Sequence, residues 1–206
     1  MKILIFLLIF CINTFIITVI TDMFILGTPR KCREEEPKQK CYILAVPNRI
    51  DFQRSAECSG FSAAHVLRSF GVEADGNELY ARMQGKLRNG AVLPKNLRKA
   101  LKLRGFKVRY CRGNLNTLKS SLSEGKRVIA FVKTRKDRHW LHYVHVVGYD
   151  EEHVLIADSL RELANCKEEH YNRKLSYAEF LELWDTREIY MPFYKNTFLM
   201  IEKQEV

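Results

Sequence analysis

The chain has 206 residues, with 34 Lys and Arg against 24 Asp and Glu for a net charge of +10. That length suits one catalytic-sized domain plus an appendage. Hydrophobic residues make up 47% and charged residues 28%, with 10 Gly and 5 Pro, which excludes a collagenous, low-complexity or wholly disordered chain.

Ile3–Ile20 carries no charge, and its mildly polar members are Cys11, Asn13, Thr14 and Thr18. At about 1.5 Å per helical residue this run matches the hydrocarbon thickness of a bilayer, and Met23–Leu26 extends it past Asp22. Residues 1–27 are therefore expected to be a single transmembrane anchor. The alternative is a cleaved secretory signal, whose apolar stretch is about 7–15 residues long and ends at a small-x-small site. Phe24-Ile25-Leu26-Gly27 offers no such site. Orientation stays open. Arg30, Lys31, Arg33, Lys38 and Lys40 favour a cytoplasmic body by the positive-inside rule, whereas the short N-terminus of a first helix usually stays inside. The expectation carried forward is an extracytoplasmic body.

Residues 28–47 read as a charged, Pro-containing linker without helical or strand period, and residues 48–206 as the folded domain. In that domain the pattern predicts helices over 59–70, Asn77–Met83, Pro94–Arg104, Leu115–Leu122 and Tyr177–Trp184. Strands are expected at Phe106–Tyr110, Val128–Val132, His142–Tyr149, Val154–Ala157 and Thr197–Ile201. Helices come first and strands mostly later, an α+β pattern.

The six Cys are 11, 32, 41, 58, 111 and 166, with no CxxC pair to suggest structural zinc. Cys32 and Cys41 could form a disulfide in an oxidising compartment. Cys111 and Cys166 carry no legible chemistry. Cys58 differs because it sits where an irregular segment, Gln53-Arg54-Ser55-Ala56-Glu57, turns into a helix. The positive end of a helix dipole favours a thiolate, and the free N–H groups there can hold a developing oxyanion. Gln53 can supply a second donor. A buried, inert Cys is the plain alternative.

A Cys nucleophile needs an imidazole, and the imidazole needs an acceptor that fixes its tautomer. His142 opens the strand His142–Tyr149. Asp158 follows the strand Val154–Ala157, joined to the first by Asp150-Glu151-Glu152. Such a hairpin sets residue 142 opposite roughly residue 160, near Asp158. The recurrence of His139, His142 and His145 admits a metal reading, but on a strand residues 142 and 145 point to opposite faces. No metal and no other cofactor is expected. His65 and His145 read as core or partner-bonded residues, and Trp140 and Tyr143 as cleft walls or core. Lys95, Arg98, Lys99, Lys102, Arg104, Lys107 and Arg109 form a basic block without an acid among them. It reads as a solvated face or a contact with anionic lipid. Nothing interleaves aromatics with it, so nucleic acid ranks last.

The Gln-to-Cys-helix element, His-Tyr-Val-x-Val-Val-Gly-Tyr-Asp and Ile-Ala-Asp resemble the papain-like peptidases that process double-glycine leaders of bacteriocins, across roughly residues 48–186. The resemblance implies a papain-like α+β fold, a catalytic Cys helix packed on an antiparallel sheet, and peptide hydrolysis without a cofactor. It implies Cys58 as nucleophile, His142 as base, Asp158 sixteen residues on as orienter, and Gln53 in the oxyanion hole. The chain departs from the family pattern in three places. Gln53 precedes Cys58 by five residues rather than about six, Ser159 stands where Pro commonly follows the Asp, and Ser-Gly-Phe follows Cys58. The competing readings are a non-hydrolytic peptide-binding module on the same fold, and an acyltransferase or amidase using the same thiol.

Overall fold

A computed structural model describes residues 2–204, with only the backbone described at Arg138 and His139. The first element is α1 (Lys2–Leu26), 25 residues with none buried. It is long and apolar enough for a membrane span or a secretory signal. Two short strands follow, β1 (Arg30–Lys31) and β2 (Tyr42–Ile43). Three helices come next: α2 (Cys58–Ser69), α3 (Gly76–Arg82) and α4 (Pro94–Lys102). The rest of the chain runs β3 (Phe106–Arg112), α5 (Leu115–Ser123), β4 (Arg127–Arg135), β5 (Arg138–Tyr149), β6 (His153–Ala157), β7 (Arg173–Ser176), α6 (Tyr177–Trp184) and β8 (Thr197–Lys203).

The helix boundaries follow local chemistry. Pro94 opens α4, where its missing N–H costs nothing. Asn114 with Thr117, and Ser176 with Glu179, close capping boxes on α5 and α6.

The strands form one sheet in the order β1-β3-β8-β4-β5-β6-β7, with β2 added against β5. Only the β1–β3 pairing is parallel among the described strands. Side chains alternate across the sheet. On one face Ile129, Phe131 and Tyr143 pack against Ala63 and Val66 of α2 and Leu97 and Leu101 of α4. On the other, Val128, Val144 and Val146 meet Leu118 and Leu122 of α5 and Phe180 and Trp184 of α6. A papain-like α+β domain results, with helices on both faces of a mainly antiparallel sheet.

Two expectations need correction. The segment 28–47, read as a linker without strand character, pairs with the sheet twice: Arg30 beside Cys111 and Tyr42 beside Tyr149. Two-residue strands are too short to leave a period in the sequence. Their placement also redirects the disulfide. Cys32 pairs with Cys111, with Cα atoms 5.6 Å apart, while Cys41 is free and exposed. The sheet order, which sets β1 against β3, brings together two cysteines 79 residues apart.

A bulge lies between Val146 and Gly148 in the β5–β6 ladder. It turns the Val147 carbonyl outward to accept the Leu44 N–H at 2.8 Å. A Cβ on Gly148 would lie 2.4 Å from the Tyr42 carbonyl oxygen, so the crossing of β2 depends on that glycine.

Candidate active site

Cys58 is the first residue of α2 and is half-buried. Gly60 and Phe61 donate to the Glu57 carbonyl. The N–H groups of Cys58 and Ser59 thus precede the first intrahelical donor, at the positive end of the helix. Glu57 offers no side-chain cap to them. Its carboxylate accepts instead from the Ser55 N–H at 2.6 Å.

His142 pairs with Val132 across the β4–β5 ladder, beyond the point where β5 and β6 separate at His145 and Ala157. Asp158 comes immediately after β6. His142 Nε2 lies 2.8 Å from Asp158 Oδ1, and both side chains are buried. This bond leaves Nδ1 as the ring's second nitrogen, and the Cys58 thiol is near enough to act on the ring electrostatically. Burial opposes a charge on the ring, but the Asp158 carboxylate and the Cys58 contact outweigh it and raise the His142 pKa from 6.5 to about 10. Burial likewise opposes the Asp158 charge, yet His142 and Arg173 hold its pKa below the ordinary carboxylate value. Both shifts favour the charged forms of the pair, imidazolium and carboxylate.

The acceptor is fixed more firmly than the sequence suggested. Asp158 Oδ2 takes a bond from Arg173 Nη1 at 2.8 Å, and Oδ1 also accepts from the Leu160 N–H at 2.8 Å. Asn172 donates to the Asp158 carbonyl and accepts from its N–H, both at 2.8 Å. Asn172 and Arg173 went unrecognised in the sequence. An Arg entering a short strand looks solvent-facing unless its carboxylate partner is known.

Gln53 is tied to the same loop. Its N–H donates to the Ser159 carbonyl at 2.9 Å, and its Oε1 accepts from Ser159 Oγ at 2.6 Å. Ser159, which departs from the family pattern, therefore joins the Gln53 segment to the Asp158 loop. The Gln53 Nε2 group donates to the Ser55 carbonyl, so it must turn away from that acceptor to reach a ligand.

The other histidines go elsewhere. His145 Nδ1 lies 2.7 Å from His65 Nδ1 in the core between β5 and α2. Burial lowers both pKa values, that of His65 to about 3, so the two rings are neutral. His142 and His145 thus take different partners, and the His139 side chain lies outside the described residues. Of the aromatics flanking His142, Trp140 is 69% exposed. Tyr143 is core, with its hydroxyl donating to the Val92 carbonyl at 2.8 Å. A cleft of about 730 Å³, lined by Phe52, Arg161 and Asn172 among others, opens beside the Asp158 loop.

The fold is shared with solved peptidase structures. A C39-like peptidase from Bacillus anthracis aligns with a TM-score of 0.62 at 17% identity, covering 82% of this chain and all of the other. A double-glycine-motif protease from an AMS/PCAT transporter, solved with its leader peptide, aligns at 0.53 with 17% identity, covering 76% and 92% of the two chains. Xylellain, a cysteine protease from Xylella fastidiosa, aligns at 0.55 with 13% identity, covering 86% and 92%. A search of curated proteins found no match. The model of the Peptidase C39 family matches residues 48–193. On that match and that fold, the chain belongs to the Peptidase C39 family and is a cysteine peptidase.

Proposed function

We propose that the chain hydrolyses peptides through a triad of Cys58, His142 and Asp158, held at a membrane by residues 1–27. The observation that carries the triad is the buried His142–Asp158 pair at 2.8 Å, with Cys58 near enough to raise the pKa of the ring.

Cys58 Sγ attacks the substrate carbonyl carbon, and its proton passes to the second ring nitrogen of His142. The oxyanion that forms is taken by the Cys58 N–H and by Gln53 Nε2 once it leaves Ser55. Collapse breaks the C–N bond, and His142 gives its proton to the leaving amine. A water molecule, deprotonated by His142, then attacks the thioester and releases the acid and the thiol. Asp158 holds the ring in register and carries its counter-charge throughout. The leader peptide bound to the transporter protease supports a peptide substrate, and a small residue before the scissile bond follows from the family resemblance. The Cys32–Cys111 bond supports a body on the oxidising side of the membrane.

The test is peptide-mapped alkylation by iodoacetamide at pH 6.5, with exposed Cys41 as internal reference. Cys58 is expected to react at least tenfold faster than Cys41, and His142→Ala to abolish the difference. Equal rates in the wild type would remove Cys58 as the nucleophile.

A further inference from the structure

Very little chain separates α1 from the sheet. Leu26 and Met191 both pack against the same hydrophobic core, and β1 begins at Arg30. The Lys95 ammonium donates to the Phe24 carbonyl at 3.2 Å and lies over the Phe24 ring. Tyr194 donates to the Asp22 and Gly27 carbonyls at 3.3 and 3.4 Å. The body is therefore clamped to the end of α1 rather than hung from a flexible tether.

The segment that supplies Tyr194 has an unusual surface. The Met191 N–H donates to the Glu188 carbonyl at 2.9 Å, closing a tight turn. The two residues at its tip, Ile189 and Tyr190, are 83% and 48% exposed, and Phe193 beside them is 40% exposed. Turn tips facing water usually carry polar residues. This one presents an aliphatic and two aromatic side chains within five residues of the contact with Asp22. Tyr and other amphipathic aromatics favour the headgroup layer. The basic residues Arg98, Lys99 and Lys102 lie on α4, the helix whose Lys95 grips Phe24, which suits an anionic headgroup surface.

Register links this turn to the active site. Lys31 pairs with Arg112, Arg112 with Thr197, and Val132 with His142, all at one end of the sheet. The turn feeds directly into β8 at Thr197. The opposite end carries the β5–β6 turn at Glu151 and Glu152. With strands about 4.8 Å apart, His142 lies within roughly 20 Å of the strand that follows α1.

We propose that the segment Arg187–Lys195 is a second membrane contact, through Ile189, Tyr190 and Phe193, which holds the active-site end of the sheet against the lipid surface. The substrate is then a peptide segment presented at the bilayer. This rests on the reading of α1 as a membrane anchor. The test reconstitutes the full chain in phosphatidylcholine–phosphatidylglycerol vesicles doped with a photoactivatable phospholipid, and maps adducts by mass spectrometry. Adducts are expected on α1 and on the tryptic peptide 188–195, with at least fivefold fewer at Glu151–Glu152. The triple variant Ile189→Ser, Tyr190→Ser, Phe193→Ser is expected to lose those on 188–195 and keep those on α1. Adducts on α1 alone, or equal labelling of Glu151–Glu152, would overturn the contact and leave the anchor standing. A chain without adducts on α1 would refute the anchor and this inference with it.

Discussion

At the residue scale the decisive feature is one carboxylate serving two cations. Asp158 sits between His142 and Arg173, both at 2.8 Å and all three buried. Removing its charge takes away the largest influence that opposes burial on the ring and leaves only that of Cys58. Asp158→Asn is therefore expected to move the alkaline limb of activity from near pH 10 to lower pH, measured as Cys58 alkylation or peptide turnover against pH. The same pair sets a pH dependence of stability. The raised His142 pKa contributes stability that is complete below about pH 6.5 and lost as pH rises through about 10. The depressed Asp158 pKa contributes stability complete above its ordinary value of 3.8 and lost as pH falls through its lower folded value. The pair thus stabilises most between about pH 4 and 6.5, which urea unfolding of wild type and His142→Gln across pH would reveal. Arg173→Met strips a buried partner from Asp158 and is expected to cost about 3–5 kcal/mol in the same assay.

At the element scale the site depends on how closely α2 approaches α3. A Cβ on Gly60 would lie 2.2 Å from the Gly76 carbonyl oxygen and 2.6 Å from Tyr80 Cβ. Neither backbone can yield without moving the helix. Because Gly60 is two residues from Cys58, Gly60→Ala is expected to cost about 1–3 kcal/mol and to slow Cys58 alkylation. A shift in urea midpoint with unchanged alkylation would show that α2 relaxes without displacing the thiol. The elements themselves were largely legible. The apolar stripe of α2, Pro94 at the start of α4 and the Asp150-Glu151-Glu152 turn all act locally. The short strands β1 and β2 were not, because two residues gain their hydrogen bonds only from a neighbour already in place.

At the scale of the whole molecule, the disulfide and α1 make one testable statement. Cys32–Cys111 closes 79 residues and ties the segment after α1 to the sheet, so Cys111→Ser is expected to destabilise the body by about 2–5 kcal/mol. With the body on the oxidising side, protease treatment of intact cells is expected to shave it while cytoplasmic controls survive. Protection of the body until lysis would reverse the orientation.

The sequence by itself determined the apolar helix, the order of the main helices and strands, and the helix start and hairpin that carry Cys58, His142 and Asp158. Each depends on neighbours along the chain, through periodicity, caps and turns. Only the tertiary structure decided the partner of Cys32, the His65–His145 bond, the grip of Asn172 and Arg173 on Asp158, and the approach of Gly60 to Gly76. Those contacts join residues that meet only after strand order and register are set, and no local pattern in a chain encodes which distant residue will stand across from it.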